Sequence, residues 1–302
     1  MEAAWNAGIV VVVAAGNGGR DNSQGTNGYG TILSPGIDPY VITVGAMKTM
    51  GTVNRFDDRI ASYSSKGPTG YDHFVKPDLV APGNRIVSVL GKDGSLCKTF
   101  PVIQVKNNYY KVLGDNKDTP DYMQLSGTSM ATPVVSGAAA LLIQKDPTMT
   151  PDQVKARLMR TASKSFPQTS TAVDPSTGIS YTSQYDIFTV GAGYVDIFAA
   201  LTDINKSSGS AKSPIAIFDS TTKTVSLLYG QGVVWGSGVV WGSGVVWGSN
   251  AFVSGSGVVW GSGVVWGSGS TLGTGVVWGS GVVWGSSLPA GELLAIAVNG
   301  EE

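Results

Sequence analysis

Residues 127 to 133 read Gly-Thr-Ser-Met-Ala-Thr-Pro and lead straight into the apolar stretch 134–143. Val134, Val135, Ala138, Leu141 and Leu142 recur at helical spacing, so Ser129 stands where a predicted helix opens. Pro133 falls in the first turn, where a missing N–H is no loss. A serine hydroxyl is a weak nucleophile near neutral pH and needs an adjacent base, usually an imidazole oriented by a carboxylate. The sequence holds one histidine, His73. The position of Ser129 still suits acyl chemistry. The positive end of the helix dipole and the Ser129 N–H would face negative charge developing on a substrate carbonyl oxygen. Asn17 is the candidate second donor, because Ala14-Ala15-Gly16-Asn17 ends a buried strand at the edge where open α/β sheets bind ligands.

The elements that must position these residues follow from hydrophobic pattern. The run 9–15, Ile-Val-Val-Val-Val-Ala-Ala, is apolar on both faces, as a central strand of a parallel sheet requires when helices cover both sides. Residues 40–46 and 86–90 are predicted as shorter strands of the same kind. Thr150 to Gln153 has the form of a capping box, with Pro151 at the first helical position and Val154 and Leu158 on one buried face. Residues 2–7 look like the end of a helix, and Gly8 sits at its C-cap. Together these describe an α/β fold with a mainly parallel sheet flanked by helices. Residues 91–124 are predicted as a surface insertion containing a hairpin, with strands at 102–105 and 109–113 around Asn107-Asn108. A glycine turn and short helix over 191–200 close the domain. The composition then shifts to Ser, Lys and Gly, placing a boundary near 204 and a linker over 204–228.

Composition bounds the partners. With 302 residues and 42% hydrophobic side chains there is room for a sizeable core. Twenty Lys and Arg against twenty-one Asp and Glu give no electrostatic reason to expect nucleic acid or an anionic membrane. No stretch has the apolar length of a membrane span, and the N-terminus lacks the basic and apolar regions of a signal peptide. Cys97 stands alone, so an internal disulfide is excluded and a clustered thiolate metal site is not expected.

The serine motif, with Val135-Ser136-Gly137-Ala138 behind it, resembles the nucleophile signature of the subtilisin-like serine proteases. Val13 to Asn17 resembles the strand that carries their oxyanion asparagine. Ser64-Ser65-Lys66-Gly67-Pro68, the stretch Lys76-Pro77-Asp78 to Gly83, and 191–200 are similar to further segments of that family, in the same order, across residues 1–203. The resemblance implies peptide-bond hydrolysis through an acyl-enzyme on Ser129. Asn17 and the Ser129 N–H would hold the oxyanion, and Ala14, Ala15 and Gly16 would line the pocket for the residue before the scissile bond. It implies a polypeptide substrate and an extracellular or cell-surface location. The family's aspartate, in Asp-Ser/Thr-Gly, and histidine, in His-Gly-Thr, precede the oxyanion strand and are not in this sequence. His73 falls in a variable loop and is expected to be solvent-exposed there. Little or no proteolysis is therefore expected of these 302 residues alone. No cofactor is implied with certainty. Structural calcium is common in the family, and Asp57, Asp58 and Asp72 are the candidate carboxylates, although their spacing matches no calcium-loop signature.

From Gly232 to Ser286 the hexapeptide Gly-Val-Val-Trp-Gly-Ser recurs, with tryptophans at 235, 241, 247, 260, 266, 278 and 284. An even period keeps every Trp on one face of a strand, whereas a helix would turn successive copies by about 240°. Three readings of the repeat region, 229–287, stand open: a β-type arrangement that buries the Trp rows, a low-complexity flexible tail, or an aromatic surface for cell wall or polysaccharide. In the last case the chain is a non-catalytic surface-binding protein. Residues 288–302 are predicted as a C-terminal strand or tail.

Overall fold

The computed structural model describes residues 1–91, 95–175, 177–219, 224–228, 264–266, 276–278 and 290–301. Helix α1 (Glu2–Asn6) ends with Gly8 at φ +87°, the left-handed turn expected after a helix. Strand β1 (Val12–Ala14) pairs in parallel with β2 (Ile42–Lys48), which pairs in parallel with β4 (Leu79–Pro82); β3 (Arg59–Ile60) adds antiparallel to the end of β2. Every residue of β2 is buried, as a strand covered on both faces requires. The predicted 9–15 strand is shorter, and Ile9 is exposed. Among the described residues β1 pairs only with β2, so it has the burial of an edge strand.

The predicted parallel strand at 86–90 is corrected. Strand β5 (Ile86–Val89) leaves the main sheet and is largely exposed. A second helix, α2 (Ser95–Thr99), follows it. Strand β5 pairs antiparallel with β7 (Asp118–Leu125), which also pairs with β6 (Gln104–Lys106). The hairpin expected within 102–113 thus takes its second strand from 118 onward, because Asn107–Tyr109 forms a 3-10 turn instead. Short apolar runs do not reveal which neighbour they pair with, and here the partner lies more than thirty residues away.

Helix α3 (Thr128–Lys145) lies on the main sheet with Ala131, Val135, Ala138, Ala139 and Leu142 buried, while Leu141 is exposed. Helix α4 (Pro151–Thr161) opens with the predicted capping box: the Gln153 N–H donates to Thr150 Oγ1, and the Thr150 N–H donates to Gln153 Oε1. Such a cap contributes about 1 kcal/mol. The Trp5 indole N–H donates to Asp152, tying α1 to α4. Strands β8 (Thr169–Val173) and β9 (Ser180–Gln184) form a hairpin; α5 (Ile187–Val190) and α6 (Ile197–Thr202) follow.

The segment 204–228 is not a linker. Strands β10 (Ile215–Asp219) and β11 (Thr224–Leu228) form an antiparallel hairpin whose Ala216, Val225 and Leu227 join the core. Just before it, Ser213 donates to the buried carboxylate of Asp78, which also pairs with Lys76 and Lys155. Within the repeats the described residues are β12 (Val264–Trp266) and β13 (Val276–Trp278), paired in parallel with Trp266 opposite Trp278. The remaining repeat expectations lie outside the described residues. The expected C-terminal strand or tail is instead helix α7 (Ala290–Asn299), packed on β7. Among the described residues no helix is long and apolar enough to cross a membrane.

Candidate active site

The parallel strands deliver their C-terminal ends to one edge of the sheet, and α3 begins there. Ala15 is fully buried; its N–H donates to the Val44 carbonyl and its own carbonyl accepts from the Leu33 N–H. Gly16 then turns out of the sheet at φ +110°, and a Cβ there would sit 2.9 Å from Leu33 Cγ and Ser65 Oγ. Glycine thus lets the chain carry Asn17 past the sheet edge. Gly127 approaches from the other side, donating its N–H to the Gly83 carbonyl at 2.8 Å, directly after β4.

The two segments interlock. Asn17 Oδ1 accepts from the Thr128 N–H at 2.9 Å and from Thr128 Oγ1 at 3.0 Å. Thr128 Oγ1 in turn accepts from the Gly16 N–H at 3.1 Å. Both Thr128 groups act as donors, so only the amide oxygen can face them and Nδ2 is left to donate elsewhere. That nitrogen lies beside Gly127, where a Cβ would stand 3.1 Å from it. Ser129 follows as the second helical residue, exposed, and its Oγ makes no hydrogen bond among the described residues. Its N–H belongs to the first turn, which has no intrahelical acceptor. The C-terminal edge of the sheet thus brings together the Asn17 amide, held by Thr128, and the exposed hydroxyl of Ser129 one residue further on. Of the three residues expected to line a pocket, Ala14 and Gly16 are half-buried, whereas Ala15 is enclosed and takes no part in an open surface.

The histidine is elsewhere. His73 precedes β4, while Ser129 lies beyond the C-terminal end of β4, so the two belong to opposite edges of the sheet. His73 is half-buried rather than solvent-exposed, at φ +59°, with its carbonyl accepting from the Ala216 N–H. Burial pushes its imidazole down to about 4 against the opposing pull of Asp72, leaving it neutral at pH 7. Two supporting residues escaped the sequence reading. Thr128 orients the asparagine, a role hidden because it needs the distant Asn17. Tyr63 donates from a fully buried phenol to the Gly83 carbonyl at 3.1 Å; burial and then the Glu301 carboxylate raise that phenol and keep it neutral.

The candidate calcium carboxylates do not assemble. Both oxygens of Asp57 accept from Thr52 Oγ1, and Asp58 is buried, its carboxyl raised by desolvation and its Oδ1 without a hydrogen-bond partner among the described residues. Among the described residues no three carboxylate, histidine or cysteine side chains gather as metal ligands, Asp57, Asp58 and Asp72 included.

The sequence and fold were compared with known proteins. The family model described as Subtilase family matches residues 1–187. The serine protease AprX of Bacillus subtilis is 43% identical over 158 residues, covering 52% of this chain and 31% of AprX. Subtilisin DY of Bacillus licheniformis is 36% identical over 162 residues, covering 54% of this chain and 42% of that protein. The solved structure of fervidolysin from Fervidobacterium pennivorans aligns at 26% identity with a TM-score of 0.45, covering 74% of this chain and 27% of that one. The chain spans less than half the length of each of these relatives.

Proposed function

The chain belongs to the subtilase family, and from that membership we propose that Ser129 is the nucleophile of a serine endopeptidase site acting on polypeptides. In the reaction Ser129 Oγ bonds to the scissile carbonyl carbon while its proton passes to a base. The carbonyl oxygen becomes an oxyanion held by Asn17 Nδ2 and the Ser129 N–H. Collapse of that intermediate breaks the peptide C–N bond, the amine leaves with a proton, and water later hydrolyses the acyl-serine. Ala14 and Gly16 flank the residue before the scissile bond. One observation carries the reading: Thr128 fixes the Asn17 amide so that its NH2 remains available beside Gly127, two residues before Ser129.

The same reading makes these 302 residues inactive alone, because His73 lies at the other sheet edge and Ser129 stays protonated without a base. A fluorophosphonate probe tests both halves. The chain alone should remain unlabelled, and stoichiometric labelling of Ser129 would overturn the inactivity. Supplying a polypeptide with the family's Asp-Ser/Thr-Gly and His-Gly-Thr motifs should bring the label to Ser129. A reconstituted complex that stays unlabelled would remove Ser129 from the nucleophile's role.

We place the protein outside the cell or at its surface, as expected for the family. The regular tryptophans of 229–287 supply a second activity in this reading, stacking on cell wall or polysaccharide. The register that sets Trp266 opposite Trp278 favours it. Retention on insoluble polysaccharide that disappears on Trp→Ala substitution in the repeats is the expected result.

A further inference from the structure

After the repeats, residues 290–301 pack against the peptidase fold and Glu301 lies inside it. The Ser126 N–H donates to the Ala297 carbonyl of α7 at 3.0 Å, and Arg85 Nε donates to the Asn299 carbonyl at 3.2 Å. Gly300 turns at φ +71°; a Cβ on it would come within 2.6 Å of Ser126 Oγ and 2.8 Å of Arg85 Cγ, so only glycine passes. Glu301 is then only 4% exposed. Its Oε2 accepts from the Ser62 N–H at 2.8 Å, from Ser62 Oγ at 2.5 Å and from Arg20 at 3.3 Å, and its Oε1 from Lys48 at 3.2 Å. Asn84 reads the backbone as well. Its Nδ2 donates to the Glu301 carbonyl and its Oδ1 accepts the Glu301 N–H, both at 2.8 Å.

Burying a carboxylate costs several kcal/mol unless donors are already aimed at it. Here other contacts aim them. Arg20 is braced by Ser62 Oγ at 2.7 Å and Asp174 at 3.2 Å and lies over the Tyr181 ring, while Tyr63 OH reaches Asn84 Oδ1 at 3.4 Å. Arg20 and Asn84 are thus held partly by contacts outside residues 290–301, through Asp174, Tyr181 and Tyr63.

We propose that Arg20, Lys48, Ser62 and Asn84 form a recognition site for an acidic peptide segment containing Gly-Glu, and that residues 290–301 of this chain fill it as a latch. The latch anchors the far end of the repeat region to the domain that already holds its near end through β11. It also grips Ser126, whose neighbour Gly127 leads into Ser129, and Asn84, which follows the Gly83 carbonyl that Gly127 bonds. Occupancy of the site and placement of the serine loop are therefore linked through the backbone. The proposal goes beyond peptidase activity and stands whether or not Ser129 is a nucleophile.

Hydrogen exchange on the full chain tests it, because the Ser62 and Ser126 amides bond directly to the latch. Glu301→Ala should speed exchange at both by about tenfold or more while the β2 amides keep their protection. A synthetic peptide with the sequence of residues 290–302, added in excess, should restore protection, and the same peptide with alanine for Glu301 should not. Unchanged exchange in Glu301→Ala would overturn the proposal, as would failure of the peptide to restore protection to the folded variant. Should Glu301→Ala not fold, the same peptide rescue on Glu301→Gln decides by the same outcomes, since Gln keeps the side chain's size but loses the charge and sets an NH2 against the donors of Lys48 or Ser62 and Arg20.

Discussion

Asn17 Oδ1 takes two hydrogen bonds from Thr128, one from its N–H and one from its hydroxyl, and this pair fixes the amide in one orientation. Thr128→Val keeps the side-chain shape but strips Asn17 of a donor and the Gly16 N–H of its acceptor. A loss of about 1–3 kcal/mol in urea unfolding is expected. Asn17→Asp, by contrast, preserves both acceptor bonds and adds a negative charge near a helix N-terminus, so its stability should equal or exceed wild type. It replaces the donating NH2 with an acceptor. In a reconstituted peptidase it should turn over poorly despite folding well, and full activity in Asn17→Asp would remove the amide from oxyanion binding.

Gly127 stands at φ +144° with its hydrogen facing Asn17 Nδ2. Gly127→Ala imposes a backbone conformation that side chains rarely adopt and crowds the amide. Destabilisation of about 1–3 kcal/mol is expected, read from the denaturation midpoint. A neutral effect would mean that the loop adjusts freely.

The Asp78 carboxylate is fully buried between Lys76 at 2.7 Å and Lys155 at 3.1 Å, with Ser213 and the Thr43 N–H also donating to it. Burial pushes its pKa up, but the two ammonium groups and hydrogen bonds outweigh that and hold it below the usual carboxylate value. A depressed folded pKa stabilises the fold above the unfolded carboxylate's pKa, and this contribution fades as acid protonates the group. Asp78→Asn leaves two buried lysines without a counter-charge and should cost roughly 3–5 kcal/mol at pH 7. The variant should also show a shallower fall in stability below about pH 4. An equally steep acid limb in the variant would assign that limb to other carboxylates.

His73 titrates near 4 in the fold and near 6.5 when unfolded. Between those values the unfolded chain binds the extra proton, so the stabilising contribution is complete above about 6.5 and is lost as pH falls toward about 4. His73→Asn tolerates the positive φ of that position and cannot titrate there. Its unfolding midpoint should vary less with pH across that window. A variant that tracks wild type throughout would show that the imidazole is not the group responsible.

The legible parts of this protein are those whose signal is contiguous. Gly127-Thr128-Ser129 and Ala14-Ala15-Gly16-Asn17 each combine a backbone requirement with a functional group inside a few residues, and Thr150 to Gln153 carries its own cap. The parallel pairing of β1 with β2 follows from runs that are apolar on both faces, whereas β4 had no such run to announce it. Local pattern misleads where a segment's fate depends on a distant partner. Ile86–Val89 has the letters of a core strand but pairs with β7 outside the main sheet. The Ser-, Lys- and Gly-rich stretch after 203 reads as a linker, yet Ser213 and the β10–β11 hairpin dock onto Asp78 and the core.

The sequence by itself determined that a serine opens an apolar helix, that an asparagine ends a neighbouring strand, and that no second histidine is present. Local chemistry and hydrophobic period suffice for those statements. Only the tertiary structure decided that Thr128 turns the Asn17 amide, that His73 sits at the wrong edge of the sheet, and that Glu301 returns to meet Arg20 and Lys48. Hydrogen bonds and ion pairs between groups more than one hundred residues apart depend on where the sheet brings the backbone, and no local pattern records that position.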